Sequence, residues 1–163
     1  MKTLLIVWHS RTGGAQAMAE AAARGAAQEP DVRIRLAAAD SAGAEDLLDA
    51  DGLLFVAPEN LAALSGAMKE FFDRTYYAVL DRLQGRPYAV MVCAGSDGSG
   101  AARQVARIAT GWRLRAVAEP LIICTHAQTP EAILAPKALT EDQLAACAEL
   151  GQALAAGLAL GVF

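Results

Sequence analysis

The sequence predicts an α/β fold of three layers, in which a doubly wound parallel sheet of five strands lies between helices. The first observation is a set of short runs rich in Val, Ile and Leu, as expected of strands buried on both faces. The second is that helical stretches follow these runs, so that strand and helix alternate five times. The length of 163 residues suits a single domain that covers residues 1–163.

The five strands are predicted from two patterns. Four are continuous apolar runs, at residues 3–8, 52–57, 88–93 and 121–125. The other, residues 32–36 (VRIRL), alternates apolar and charged side chains, as does a strand with one face in water. We therefore expect the VRIRL segment at an edge of the sheet.

The helices are expected at residues 14–28, 44–50, 65–81, 101–112 and 140–158. At the third, apolar side chains and one threonine recur at spacings of three and four, which predicts a buried face. These residues are Leu64, Met68, Phe71 and Thr75. Thr140 and Gln143 form a capping-box pattern that marks the start of the last helix. Residues 127–139, which contain two prolines, are expected to be the only long connection.

The edge position of the second strand decides between two strand orders. In the order 2-1-3-4-5 the second strand lies at one edge of the sheet. In the order 3-2-1-4, typical of dinucleotide-binding domains, it is interior and should be apolar on both faces. Arg33 and Arg35 contradict the second order. We therefore predict the order 2-1-3-4-5 with right-handed crossovers.

Ligands bind such open sheets beyond the carboxyl ends of the strands, where the strand order reverses, here between the first and third strands. The loops after strands one, three and four should therefore be small, polar and rich in backbone donors. These three loops are residues 9–14 (HSRTGG), 58–61 (PENL) and 94–100 (AGSDGSG). The loops at 9–14 and 94–100 meet this expectation well, and the loop at 58–61 meets it in part.

The loop of residues 9–14 gives the clearest indication of a ligand. A hydroxyl-rich turn that leads into a helix directs backbone N–H groups and the positive end of the helix dipole at one point, which suits a phosphate. Ser10 and Thr12 can add hydroxyl donors, while Gly13 and Gly14 allow the backbone to approach closely. The alternative is an ordinary turn in which Thr12 caps the helix.

These residues resemble a known family. Ser10-Arg11-Thr12-Gly13-Gly14-Ala15-Gln16 is similar to the phosphate-binding loop of flavodoxins and of flavodoxin-like NAD(P)H-dependent FMN and quinone reductases, usually Ser/Thr-x-Thr-Gly-Asn-Thr. Residues 65–74 (SGAMKEFFDR), which follow a loop led by Pro58, resemble the reductase pattern Ser-Gly-x-Met-Lys-x-Phe-x-Asp-Arg, and this match is the more specific one. Residues 95–100 are similar to the loop that flanks the other side of the flavin ring.

The resemblance implies a flavodoxin-like strand order, an FMN cofactor and an oxidoreductase function with NAD(P)H as a candidate electron donor. No catalytic residue is assigned, because a flavin accepts hydride from a nicotinamide without a protein acid or base, and the protein supplies binding and orientation. The cofactor-binding residues that it implies are Ser10, Arg11, Thr12, Gly13, Gly14, Ala15, Gln16, Pro58, Glu59, Asn60, Leu61, Ala94, Gly95, Ser96, Asp97, Gly98 and Gly100.

The sequence departs from the family pattern in two ways. Ala15 stands where the family usually has threonine, which removes one hydroxyl from the phosphate site. The loops at 58–64 and 94–100 lack the aromatic side chains that commonly sandwich the flavin in electron-carrying flavodoxins. The aromatic residues elsewhere are interpreted as structural: Trp8, Tyr76, Tyr77 and Trp112.

Three functions stay open at this point. The expected one is a reductase of a small acceptor such as a quinone or free flavin. The alternatives are a flavodoxin-type electron carrier and a non-catalytic protein of this fold that binds FMN weakly or not at all. A net charge of −4 is modest for a carrier that docks on basic partners, which slightly favours the reductase.

Composition and spacing argue against other functions. The negative net charge, without a basic stripe, gives no support for nucleic-acid binding. A receiver domain of the same strand order needs an aspartate where Ala57 and Pro58 stand. The apolar tail, residues 154–163, is about half the length of a membrane span, and we expect it to pack on the sheet or to join a homodimer.

The cysteines and histidines are interpreted as structural residues. Cys93, Cys124 and Cys147 are an odd number, widely spaced in apolar stretches, as expected of buried thiols in a reducing cytoplasm. A metal site of His9, Cys93, Cys124 and His126 lacks the close ligand spacing that marks zinc sites. We therefore expect no metal.

Overall fold

A parallel sheet with helices on both faces forms the centre of the protein in a computed structural model that describes residues 1–163. The strands are β1 (Lys2–Trp8), β2 (Val32–Ala38), β3 (Gly52–Asn60), β4 (Ala63–Leu64), β5 (Pro87–Ala94), β6 (Arg115–Ala116) and β7 (Leu121–Cys124). The helices are α1 (Gly14–Ala26), α2 (Ala44–Asp49), α3 (Gly66–Val79), α4 (Ser99–Gly111), α5 (Pro130–Leu134) and α6 (Glu141–Leu160).

The predicted strand order is confirmed, and its fifth position is shared by two short strands. The sheet runs β2-β1-β3-β5-β6, and β7 also pairs with β5. β6 pairs with Pro87 and Tyr88, whereas β7 pairs farther along β5, from Met91 onwards. Pro120 directly precedes β7 and has no N–H to continue the ladder, which accounts for the interruption.

The edge position of β2 is also confirmed. Its only neighbour is β1, and its pairing runs in parallel register from Val32 opposite Lys2. Arg33 and Arg35 are exposed, and the Arg35 guanidinium forms an ion pair with Asp46 of α2. Charged side chains therefore occupy the wet face of this strand, as the alternating pattern predicts.

The sheet separates two apolar cores. One lies under α2, α3 and α4, where the Phe55 and Phe72 rings are 5.1 Å apart, and the other lies under α1 and α6. The predicted face at α3 is buried, and its one polar member, Thr75, donates its hydroxyl to the Phe71 carbonyl at 2.7 Å. The core on the α1 side consists of aliphatic side chains, alanines and cysteines, and no aromatic ring is fully buried in it.

Helices α1 and α6 cross closely through two glycines. A Cβ on Gly25 would overlap the carbonyl oxygen of Ala148, and a Cβ on Gly151 would overlap that of Ala22. Each helix therefore presents a glycine to the backbone of the other. Any larger residue would force the helices apart, because backbone atoms cannot rotate out of the way as a side chain can.

The connection at 127–139 and the last helix differ from expectation. The connection contains the short helix α5, whose N-cap Thr129 accepts the Ala132 N–H at 3.2 Å.

The capping box of Thr140 and Gln143 is confirmed, but α6 continues to Leu160. Its 20 residues meet the length and mean hydropathy of a membrane span, which corrects the estimate that the tail is too short. Core helices also meet this test, and one face of α6 packs on α1.

The cysteines are free thiols, as interpreted from the sequence. Cys93 and Cys147 are buried in the core on the α1 side, and Cys124 is partly buried. Burial raises the pKa of the Cys147 thiol to about 11, so this thiol stays protonated at neutral pH and is a poor nucleophile.

Candidate cofactor site

The loop between β1 and α1 turns sharply at Gly13. This residue has φ of 97°, a left-handed conformation that favours glycine, and no neighbouring atom lies within 4 Å of where its Cβ would be. Its N–H donates to Ser10 Oγ at 3.0 Å. The hydroxyl hydrogen of Ser10 is thereby left available for a ligand.

The backbone amides around this turn have no acceptor in the protein. They are the N–H groups of Arg11, Thr12, Gly14, Ala15 and Gln16. The first amides of a helix lack partners within the helix and point along its axis, at the positive end of the helix dipole. The Thr12 hydroxyl also has no partner, and the N-cap residue of α1 is Gly13. The alternative in which Thr12 caps the helix is therefore wrong, and the loop has the donors that a phosphate needs.

Two neighbouring segments fix the position of this loop. The Lys137 N–H, in the connection after α5, donates to the Thr12 carbonyl at 2.8 Å. On the other side, a Cβ on Gly14 would lie 2.5 Å from Cys93 Sγ in β5. Gly14 therefore allows α1 to begin directly over the sheet. The Lys137 ammonium itself donates to three carbonyls at the end of α5 and so belongs to that helix.

Ala15 faces inwards. Its side chain is 1 % exposed and belongs to the core between α1 and the sheet. A phosphate at this loop would therefore depend on backbone amides and on the hydroxyls of Ser10 and Thr12, without a third hydroxyl.

His9 also joins the site, in a role that the sequence did not indicate. Its Nδ1 lies 2.9 Å from Ser65 Oγ at the start of α3, and Ser65 is fully buried. Burial, together with the nearby positive charge of Arg11, lowers the pKa of the His9 imidazole. A neutral His9 thus connects the first loop to α3 while Arg11 supplies the positive charge.

The second loop is a tight hairpin. The expected loop residues Pro58, Glu59 and Asn60 extend β3, which pairs antiparallel with β4, so residues 58–60 are strand and not loop. The turn itself is made by Leu61 and Ala62, which have φ of 51° and 63°. Two consecutive left-handed residues form the turn type that suits a hairpin, at some cost in strain because neither is glycine. The Leu61 side chain is fully exposed at the tip.

Glu59 joins the second loop to the third. Its Oε1 accepts the Gly98 N–H at 2.9 Å and its Oε2 accepts the Ala101 N–H at 3.0 Å. The first turn of α4 is thereby capped by a carboxylate. Gly100 is required here, because its Cβ would overlap the carbonyl oxygen of Ala62. These contacts hold the two loops together; a contact of Glu59, Gly98 or Gly100 with a cofactor stays a prediction.

The third loop keeps free donors at residues 95–97. Helix α4 begins at Ser99, two residues earlier than expected, so Gly100 is helical. The carboxylate of Asp97 accepts the backbone N–H and the hydroxyl of Ser99, and these bonds lower the pKa of Asp97. The N–H groups of Gly95, Ser96 and Asp97 have no acceptor in the protein.

The aromatic residues late in the helices lie away from these loops. Trp112, 1 % exposed, donates its Nε1–H to the Tyr76 carbonyl, and their rings stack 5.7 Å apart. Both residues lie near the C-terminal ends of α3 and α4, at the opposite edge of the sheet. The structural interpretation of Trp112 and Tyr76 is confirmed, whereas Tyr77 is 81 % exposed and is not part of the core. Trp8, at the end of β1, is partly buried against the core on the α1 side.

No three His, Cys, Asp or Glu side chains come together as a metal site.

A family model described as NADPH-dependent FMN reductase matches residues 38–126, which is more than half of the chain. The chain belongs to this family. The match to the FMN reductase family includes the hairpin loop, the Ser65–Arg74 segment and the third loop, and thereby confirms the resemblance found in the sequence.

Individual relatives agree with this assignment. A protein named flavodoxin from Aquifex aeolicus (strain VF5) is 38 % identical over 100 residues, which are 61 % of this chain and 52 % of that protein. The match thus spans about half the length of this curated relative. A flavodoxin from the domain Archaea has a TM-score of 0.78 at 19 % identity, over 96 % of this chain and 99 % of that chain. A WrbA-like flavodoxin from Agrobacterium tumefaciens has a TM-score of 0.70 at 18 % identity, over 98 % and 99 %. The fold is therefore flavodoxin-like.

Proposed function

We propose that this FMN reductase family member binds FMN at the carboxyl edge of its sheet and transfers electrons from NAD(P)H to a small acceptor such as a quinone or free flavin. The observation that carries the proposal is the loop of residues 10–16, with its unpartnered amides and two hydroxyls. Such a donor set at a helix N-terminus fits the phosphate of FMN.

The two other loops have suitable groups for the flavin ring. Leu61 is a fully exposed apolar side chain at the tip of the hairpin, where contact with a ring would remove it from water. The free N–H groups of residues 95–97 are available to the polar edge of the ring. FMN supplies the redox chemistry when bound, so the chain needs no catalytic acid, base or nucleophile of its own.

An electron carrier is the second candidate, because the Aquifex aeolicus relative is named flavodoxin. The charges near the site favour the reductase. Lys69, Arg103 and Arg107 line a groove beside the hairpin, and Arg11 is exposed in the first loop. A carrier that docks on basic partners would be expected to present acidic side chains there.

A homodimer is a further part of the proposal. Leu160 and Val162, at the end of α6, are exposed apolar residues. A second copy of the chain would cover them and exclude water from this surface.

Steady-state assays test the reductase proposal. We expect FMN-loaded protein with a quinone present to oxidise NAD(P)H at least about tenfold faster than the same concentration of free FMN, since bound reactants are held in a productive orientation. The measurement is the loss of nicotinamide absorbance. If dithionite reduces the bound flavin and the quinone reoxidises it, but NAD(P)H does not reduce it, the carrier function is the correct one.

A further inference from the structure

His9 and Ser65 form a polar contact where the first loop meets the start of α3. Nδ1 of the His9 ring lies 2.9 Å from Ser65 Oγ, although the two residues are 56 apart in the sequence. Ser65 is fully buried, whereas His9 is only partly buried. The contact therefore joins the protein interior to the surface at the carboxyl edge of the sheet.

The buried hydroxyl of Ser65 decides which atom donates in this contact. Ser65 is the N-cap residue of α3, but its side chain accepts no amide of that helix. Nδ1 of His9 is the only polar atom that forms a hydrogen bond with Ser65 Oγ. A buried hydroxyl hydrogen without an acceptor is unfavourable, so Ser65 donates to Nδ1. Nδ1 is therefore the acceptor and carries no hydrogen.

The neutral state of the ring then places its one hydrogen on Nε2. Burial and the positive charge of Arg11 lower the pKa of His9, and the opposing effect of Asp40 is smaller. In a neutral imidazole one nitrogen donates and the other accepts. Because Nδ1 accepts, Nε2 is the donor.

This Nε2 donor is open to solvent. It forms no hydrogen bond within the protein, and no buried side-chain nitrogen or oxygen lacks a partner. An unpartnered Nε2 is therefore accessible from outside. The free amides of Arg11 and Thr12 follow two and three residues later, so the Nε2 hydrogen adds one side-chain donor to those of the first loop.

We infer that the Nε2–H group of His9 donates to an oxygen of the ribityl phosphate chain of FMN, while Ser65 holds the ring in the orientation that this bond requires. The inference rests on the proposed function, since it names a further residue for the same cofactor site. His9 precedes the loop proposed for the phosphate and contacts α3, which directly follows the hairpin proposed for the flavin ring. The chain that joins phosphate and ring carries hydroxyl and phosphate oxygens, which accept hydrogen bonds.

Two substitutions separate the two ends of the imidazole. The side-chain carbonyl of His9→Asn can still accept the Ser65 hydroxyl, but this variant has no donor at the place of Nε2. The longer amide of His9→Gln can donate near that place but leaves Ser65 without its acceptor. We expect His9→Asn to bind FMN about fivefold more weakly than the unchanged protein, the effect of one hydrogen bond, and His9→Gln to stay within about twofold. In urea denaturation the order should reverse, with His9→Gln the less stable variant.

Titration with riboflavin identifies the oxygen that accepts. A loss in His9→Asn that is equal for FMN and riboflavin assigns the bond to a ribityl hydroxyl. A loss for FMN alone assigns it to the phosphate. Either result supports the inference.

Imidazole ¹⁵N spectra of the cofactor-free protein test the Ser65 contact separately. The chain has two histidines, so a His126→Gln variant assigns their signals. Neutral His9 should carry its hydrogen on Nε2. In Ser65→Ala its Nδ1 signal should move to that of an imidazole nitrogen without a hydrogen bond.

Two results would overturn the inference. The first is a hydrogen on Nδ1 of neutral His9, because Nε2 could then not donate. The second is an FMN affinity of His9→Asn as high as that of His9→Gln. Failure of the proposed function is a different result, namely that the unchanged protein does not bind FMN.

Discussion

A Thr12→Asp variant should bind FMN at least about 100-fold more weakly than the unchanged protein, a loss of about 3 kcal/mol. The added carboxylate would lie beside the free amides of Gly14 and Ala15 at the start of α1 and can accept from them. It would then occupy the place of the phosphate and repel it. Folding should be spared, because a negative charge stabilises a helix N-terminus. Quenching of flavin fluorescence measures the affinity.

Two controls accompany this variant. Thr110→Asp places the same charge on an exposed residue near the C-terminal end of α4, far from the proposed site. The FMN affinity of this variant should stay within about twofold of the unchanged protein. Thr12→Ser keeps the hydroxyl and should bind FMN almost as tightly as the unchanged protein. Equal FMN affinities for Thr12→Asp and Thr110→Asp would show that the phosphate binds at another place.

Gly151→Ala should lower the free energy of unfolding by about 3 kcal/mol, at the upper end of the usual cost of overpacking. The new Cβ overlaps the carbonyl oxygen of Ala22, so α1 and α6 must separate. Since α1 begins at the loop proposed to bind the phosphate, FMN affinity should fall as well. Urea denaturation gives the free energy of unfolding.

Gly66→Ala is the matched control for this prediction. Gly66 is the first residue of α3, and nothing lies within 4 Å of its added Cβ. Alanine there should leave stability unchanged or raise it by up to about 1 kcal/mol, because alanine restricts the unfolded chain and favours helix. A Gly151→Ala protein as stable as Gly66→Ala would mean that the two helices are not in close contact.

Local patterns were enough to predict five strands and their order, but not the two-residue strands β4 and β6. The apolar runs mark strands buried on both faces, and the arginines of the VRIRL segment exclude an interior position for β2. The turn with free amides at residues 9–14 could be predicted because its features are contiguous: a strand end, hydroxyls, glycines and a helix start.

Contacts between distant segments could not be predicted in this way. The partners of Glu59 lie 39 and 42 residues away, and His9 and Ser65 are 56 residues apart. The hairpin turn at Leu61 also lacks the usual signal, because left-handed turns are normally marked by glycine or asparagine. Such contacts depend on the tertiary fold, and the sequence near each residue does not indicate them.

Parallel titrations of the cofactor-free protein with FMN and with riboflavin, which differ only in the phosphate, test the central claim most directly. A phosphate held by the loop of residues 10–16 should make FMN bind at least about 100-fold more tightly than riboflavin, and Thr12→Asp should remove most of that difference. Equal affinity for the two flavins, or no binding of either, would contradict the claim.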